Sequence, residues 1–406
     1  MSNVVEKENG KDSTYVTTMS GKTVRFTIDQ ANRQVYNADS IAFGTDVSRV
    51  IVTAGADGYV HYLKENGEKG SVEDTPTAKG VNAILALSEK FTREYLVRIN
   101  VHQVDPKKTA WKQLGGASYP KGLFVSQKAF VKGDSLIVLG KDAEGSCYST
   151  STLLADGIAW STPAKCGGIV GDPDCASALL VDGVFYLTAN GALFASADAV
   201  TWTAVNNAQP IATLLAVEED TTAVAWGMVA DTLASSTDMQ VWTLGKQRPA
   251  RAIKASVASF SLPLRTNNDI YRTLFVGTPT SETDTCAVVW SKLTTDASWM
   301  EVEPKGDNIY GCPNLENLAV IQYAGNMYAF GGKSLGLRKE RLEAFSACYE
   351  SRDNGVTWKE RNGVFSLPAA FKGRDESFAV ATDGEYVWVM WSTSGEVWRG
   401  RWNGIK

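Results

Sequence analysis

Ser351-Arg-Asp-Asn-Gly-Val-Thr-Trp358 is the stretch on which the fold turns. A short carboxylate there can bond backbone amides a few residues on, and Asn-Gly supplies unusual φ angles. The indole that follows is left to pack. The phrase returns one residue shorter as Ser196-Ala-Asp198-Ala-Val-Thr-Trp202, as Ser236-Thr-Asp238-Met-Gln-Val-Trp242 and as Leu154-Ala-Asp156-Gly-Ile-Ala-Trp160, with a degenerate copy ending Asp296-Ala-Ser-Trp299. The turn chemistry accounts for Asp156, Trp160, Asp198, Trp202, Asp238, Trp242, Asp353 and Trp358 as structural residues rather than as a site.

Tryptophans 111, 160, 202, 242, 299 and 358 lie 40 to 59 residues apart. That is the period of a four-stranded propeller blade with variable loops. Each interval holds an apolar strand, a turn, a second apolar strand, a loop, a third strand, the Asp turn and a strand near the tryptophan. The second strands are almost continuously apolar: Ser135–Leu139, Val184–Leu187, Thr222–Met228, Arg272–Val276, Met327–Phe330 and Tyr386–Met390-Trp391. Strands covered on both faces lose polar alternation, as stacked blades require. Six runs imply six blades. Trp111-Lys-Gln-Leu114 is an outer strand with no blade before it, and the last interval ends at Arg399-Gly-Arg-Trp402 one strand short. Pairing the two gives a last blade closed by a 1+3 strand arrangement and removes an open edge.

Residues 1–104 lack the motif. Val24–Ile28, Ser48–Thr53, Val81–Leu87 and Glu94–Val101 read as strands. Alternation in the first and last suggests sheets with one solvated face, hence a small immunoglobulin-like β-sandwich. The expected organisation is all-β, with a sandwich over 1–104, a linker at Val101–Pro106 and a six-bladed β-propeller over 105–406.

Composition narrows the function. Apolar residues make up 44% and charged residues 21%, with a net charge of −5 and the signs interspersed. No positive stripe is present to neutralise phosphates, so nucleic acid is not expected as a partner. No apolar run reaches the roughly 18 residues of a membrane span, and residues 1–10 are polar, without a signal core. A soluble monomer is expected, either cytoplasmic or a mature segment whose export signal was removed. Cys147, Cys166, Cys175, Cys286, Cys312 and Cys348 follow no CxxC spacing, so neither a zinc site nor a disulfide scaffold is signalled. Buried or singly paired thiols are expected, and Cys166 and Cys175, flanking a glycine-rich turn, are candidates for a bridge in an oxidising compartment. No metal or cofactor is implied.

The eight residues at 351–358 match the Asp-box of sialidase-like propellers, and the shorter copies resemble it more weakly. The resemblance covers about residues 107–406. The N-terminal segments Ile28-Asp-Gln30, Tyr36-Asn-Ala-Asp-Ser40 and Gly44-Thr-Asp-Val47, with the ending Val397-Trp-Arg-Gly-Arg401, resemble an uncharacterised family of exported lipoproteins of gut anaerobes. That resemblance implies a periplasmic or cell-surface location and no measured activity.

Sialidases bind a carboxylate with an arginine cluster and use a Tyr/Glu nucleophile with an Asp acid/base. This sequence has no Phe/Tyr-Arg-Ile-Pro motif and no arginine recurring at the inner strands, Arg374 excepted. His61 and His102, the only histidines, lie outside the propeller, which removes Ser/His/Asp chemistry and His-ligated metal from it. No catalytic residue is assigned. The close carboxylates Asp172/Asp174 and Asp375/Glu376 are expected to be solvated loop charges.

Strand alternation gathers the longer loops on the face opposite the Asp turns: Pro163–Asp174, Lys246–Lys254, Glu303–Glu316, Gly331–Glu343 and Asn362–Glu376. Function usually sits on such loops. There Arg248, Arg251, Lys254, Arg338, Arg341 and Arg374 carry positive charge beside Asp375, with Tyr310 and Phe371 as stacking platforms for a sugar or anion. Ordinary solvated loop residues are the alternative. Two readings stay open: a non-catalytic recognition module for a glycan or surface protein, with a kelch-like scaffold suggested once by Tyr328-Ala-Phe-Gly-Gly332, and a carbohydrate-active hydrolase or lyase using carboxylates.

Overall fold

In the computed structural model of the chain, the structure describes residues 2–5, 13–16, 24–46, 59–63, 68–70, 81–88, 91–103, 105 and 108–403. Residues 208, 220–221, 303–305 and 361–364 within the last range are outside it. Two units are present, Met1–Pro106 and Lys107–Lys406.

In the first unit, six strands form one sheet in the order Phe26–Asp29, Gln34–Asn37, Phe91–Arg98, Val81–Ser88, Tyr59–Leu63, Lys69–Gly70. A second sheet joins Ser13–Val16, Ser2–Val5 and Thr45–Asp46. The large sheet is mixed, because Gln34–Asn37 runs parallel to Phe91–Arg98. The strand expected at Ser48–Thr53 lies outside the described residues. Within the Tyr36-Asn-Ala-Asp-Ser40 segment, Asn37 is fully buried. Its Nδ2 donates to the Asn100 carbonyl at 2.8 Å, and its Oδ1 accepts from the Asn100 amide at 2.6 Å. A buried amide with donor and acceptor both used fixes the register of two segments 63 residues apart.

Among the described residues of the second unit are six four-stranded antiparallel sheets. Sheet 1 runs Ser126–Lys132, Ser135–Lys141, Cys147–Leu153, Ala164–Lys165, and sheet 2 runs Leu179–Val181, Val184–Ala189, Ala192–Ser196, Thr203–Ala204. Sheet 3 is Thr213–Glu218, Val224–Val229, Thr232–Ser236, Thr243–Gln247, and sheet 4 is Ile253–Leu264, Asn267–Pro279, Val288–Leu293, Met300–Glu301. Sheet 5 takes Ala319–Tyr323, Asn326–Phe330, Tyr349–Ser351 and Lys359–Glu360. Sheet 6 takes Phe378–Thr382, Val387–Trp391, Val397–Trp402 and, as its outer strand, Thr109–Gln113 from the start of the unit. Trp111 stands opposite Gly400 in that last pairing.

The core is divided among these sheets. Trp202 packs with Leu139 and Cys147 of sheet 1 and Phe185 of sheet 2. Trp242 packs with Leu179 and Leu193 of sheet 2, and Trp299 with Leu233 of sheet 3. Trp358 meets Leu274 and Val289 of sheet 4, and Trp160 meets Leu114 and Trp388 against sheet 6. Each motif tryptophan therefore lies on the sheet before its own, which is why the spacing of tryptophans tracks the spacing of sheets. The Asp turns aim it. Asp198 accepts from the Val200 and Thr201 amides at 2.8 and 2.7 Å and from the Ser196 hydroxyl at 2.9 Å. The Trp202 indole then donates back to the Ala199 carbonyl at 3.2 Å. The same back-bond runs from Trp160 to Gly157, Trp242 to Met239 and Trp358 to Gly355, at 3.1 Å each. In the degenerate copy the Trp299 Nε1 is buried without a partner.

All six cysteines are buried. The thiol that Cys175 meets is Cys147, at 3.2 Å between Sγ atoms, where the sequence had offered Cys166. Among the described residues no helix is long and apolar enough to cross a membrane.

Candidate functional site: the channel between the inner strands

The first strand of every sheet faces a common axis. Between them runs a cavity of about 720 Å³ lined from all six sheets. Its walls are neutral for most of their length, with apolar side chains such as Phe130, Phe260 and Phe378, and with Ser126, Ser259, Asn317, Gln322 and Ser377 supplying hydroxyls and amides. Among the described lining residues, Lys128 and Glu219 alone are charged. Lys128 is the third residue of its strand, counted from the long-loop side, and Glu219 follows the far end of Thr213–Glu218. The Lys128 Nζ donates to the Ala176 carbonyl at 2.8 Å and stands 5.8 Å from the Phe130 ring centre. Burial pushes its ammonium down to about 8, against a smaller upward pull from Asp174. A half-buried lysine that keeps its charge only up to mildly alkaline pH is a feature of binding and reactive sites.

The loop residues singled out from the sequence have other occupations. Arg248 pairs with Asp231 at 3.0 Å and donates to the Pro249 and Ala250 carbonyls at 3.0 and 2.9 Å. Arg251, nearly buried, pairs with Asp284 at 2.8 Å and Glu301 at 3.6 Å and bonds the Ala287 and Cys286 carbonyls. Arg374 reaches Glu376 at 3.3 Å, bonds Glu396, and lies 4.8 Å over the Trp391 ring. These are clamps within the loops. Arg338, Lys254 and Arg341 are exposed, the last on the short hairpin of Ser334–Leu335 with Arg341–Leu342. Asp375 holds Lys333 at 2.8 Å. Tyr310 is exposed, with Lys359 at 5.7 Å from its ring.

Phe371 is not a platform. It closes the one-turn 3₁₀ helix Ala369–Phe371 and is fully buried, edge-on to Trp111, Trp391 and Trp398. The two carboxylate pairs are likewise engaged: Asp172 with Lys141, Asp174 with the Thr213 hydroxyl and Ser177 amide, and Glu376 with Arg374 and the Ser394 amide. Among the described residues no group of three or more His, Cys, Asp or Glu is placed to hold a metal ion. Lys128 was missed in the sequence because it sits in a strand, Ser126–Lys132, whose residues are all half-buried and show no pattern that marks one side chain out.

Four-stranded sheets whose first strands line one channel define an all-β protein of the propeller class. The chain belongs to the family described as the DUF6242 beta propeller domain, which matches residues 105–406, and residues 1–101 match the family's N-terminal domain, of unknown function. Among curated proteins none matches. Solved structures similar to it include virginiamycin B lyase from Staphylococcus aureus, at 10% identity over 72% of this chain and 99% of that one, with a TM-score of 0.41. An α-L-arabinanase of Penicillium chrysogenum complexed with arabinobiose gives 11% identity over 72% and 97%, with a TM-score of 0.42. The structure titled YjhT gives 10% over 70% and 96%, with a TM-score of 0.45. Likeness at that level carries nothing about activity.

Proposed function

We propose that the protein is a non-catalytic recognition module, a six-bladed Asp-box propeller behind an immunoglobulin-like domain, exported to the periplasm or cell surface, where it binds an acidic glycan at the long-loop mouth of its channel. The observation that carries this reading is the charge of the channel wall: among its described residues, one ammonium toward that mouth, hydroxyls and amides elsewhere on the wall, and one carboxylate at the other end. Glycosidic cleavage by paired carboxylates needs two of them about 5 to 10 Å apart. A ligand with one acidic group and many hydroxyls needs what is there. The cavity is also within the range of small-ligand sites, about 300 to 1,000 Å³.

The experiment is thermal-shift and calorimetric titration of the whole protein with uronate-containing oligosaccharides and their neutral counterparts, each incubated long enough to detect cleavage. The acidic members should stabilise it, by about 2.7 kcal/mol at a hundred times their dissociation constant. Lys128→Met should weaken binding about tenfold or more while leaving the fold intact, because a charge-assisted contact is worth about 1.5–3 kcal/mol. Equal binding of neutral sugars, or unchanged binding by the variant, removes the channel from consideration. Product release would select the hydrolase or lyase reading instead.

A further inference from the structure

Away from the channel, three of the six cysteines meet at one point in the core between sheets 1 and 2. Cys147 opens the third strand of sheet 1. Cys166 follows the fourth, and its amide donates to the Cys147 carbonyl at 2.9 Å, so the two residues stand opposite each other just beyond the Tyr148–Lys165 pair. Cys175 arrives on the connection to sheet 2 and brings its Sγ to 3.2 Å from that of Cys147. Cys147 thus faces two thiols, one across the strand and one from the next sheet.

We propose that this cluster is an oxidation site in which Cys147 and Cys175 form a disulfide and Cys166 is the thiol through which the oxidant enters. The two Sγ atoms need approach by only about 1 Å to reach bonding distance. Cys166 is the least buried of the three, 8% exposed against 4% for Cys147 and 2% for Cys175. Its neighbours Gly167 and Gly168 are exposed. The hydrogen-bonding contact with Cys147 lowers the Cys166 thiol, whereas the same contact, together with the Cys175 contact and burial, raises Cys147. Of these two thiols Cys166 is therefore the one that loses its proton first, and it is also the more accessible, and the thiolate is the nucleophile in disulfide exchange.

The steps balance with a low-molecular-weight disulfide, RSSR, as oxidant. The Cys166 thiolate attacks RSSR, forming a mixed disulfide and releasing RS⁻. Cys147 loses its proton and attacks the Cys166 sulfur, releasing the second RS⁻ and linking Cys147 to Cys166. Cys175 then loses its proton and attacks the Cys147 sulfur, and Cys166 leaves and is reprotonated. In net terms two protein thiols are oxidised and one RSSR is reduced to two RSH. The product ties sheet 1 to the segment leading into sheet 2, closing a 28-residue separation, and such a cross-link restricts the unfolded chain.

The test is a peptide map of the intact protein after incubation with glutathione disulfide, with free thiols alkylated on denaturation. Cleavage after lysine and arginine and before aspartate separates Cys166 from Cys175 at Asp172 and Asp174. The expected product is the Cys147 peptide joined to the Cys175 peptide, lighter by two hydrogens than the separate thiols, with Cys166 alkylated. Cys166→Ala should form the same bridge about tenfold more slowly, and Cys147→Ala should leave Cys166 as its mixed disulfide with glutathione and Cys175 alkylated. Three alkylated thiols in the wild-type protein overturn the site, and a Cys147–Cys166 end product overturns the assignment of Cys175. An unchanged rate in Cys166→Ala overturns the entry step.

Discussion

Asp198 shows how one carboxylate fixes a hairpin. Two backbone amides and a serine hydroxyl converge on one oxygen, and they hold its pKa down to about 2, the amides of Thr201 and Val200 first. Because the folded value lies below the unfolded one, near 3.9, its contribution to stability is complete above about pH 4 and disappears as the pH falls through about 2. Asp198→Asn should flatten the acid limb of the unfolding profile over that window, measured by denaturant titration at each pH. Asp353 makes the corresponding bonds to Ser351 and to the Thr357 amide and hydroxyl, and Asp353→Ala should cost about 1 kcal/mol, as loss of a comparable cap does. Gly355 is a stricter requirement: its φ is +83°, and a Cβ there would lie 2.3 Å from Leu274 of the neighbouring sheet. Lys128 runs the opposite way to Asp198. It is charged below about pH 8 and neutral above, so anion affinity at the channel should be intact at neutral pH and fall through that value, a loss Lys128→Met should not show.

At the scale of elements, the sequence was most legible where a residue's local chemistry and its packing agree. The Asp-Trp phrase states both a turn and the contact with the preceding sheet, so Trp202, Trp242 and Trp358 marked three sheet junctions directly. The apolar runs such as Tyr386–Trp391 marked strands covered on both faces. The loops were legible in position and not in role. An arginine on a long loop reads as available charge, whereas Arg251 is spent on Asp284 and Glu301, acids 33 and 50 residues away in sequence. No pattern along the chain announces such a pairing. That clamp makes its own prediction. Burial raises the Glu301 carboxyl while the Arg251 amide and charge pull it down, so Arg251→Met leaves a buried acid uncompensated and should destabilise by about 3 kcal/mol. With the guanidinium gone, Glu301 titrates higher still. A carboxyl raised on folding destabilises when ionised, so the deficit should shrink as the pH is lowered from about 8 to about 5. An equal deficit at both ends would place the loss in packing alone.

For the whole molecule, the decisive pairing joins the two ends of the second unit. Thr109–Gln113 is hydrogen-bonded along its length to Val397–Trp402, while the rest of sheet 6 is drawn from the last residues of the chain. Without it the edge of Val397–Trp402 would offer unpaired amides and carbonyls to solvent or to another chain. Trp111 ties the strand down: its indole donates to the Ser366 carbonyl at 2.6 Å and meets Phe371 and Phe365 edge-on at 5.5 and 5.9 Å, and its ring fills the space over Gly400, where a Cβ would lie 2.7 Å away. Truncating it removes an aromatic anchor from the junction of sheets 5 and 6, at a cost of about 3 kcal/mol. If the strand serves only as cover, Trp111→Ala should lower stability as much as Trp358→Ala or less and leave one cooperative transition. If it closes the ring, the variant should lose cooperativity, with hydrogen exchange rising first along Val397–Trp402 and Val387–Trp391 while sheets 2 and 3 stay protected. The continuous pairing across residues 109–113 favours the second outcome, and amide exchange resolved by segment distinguishes the two.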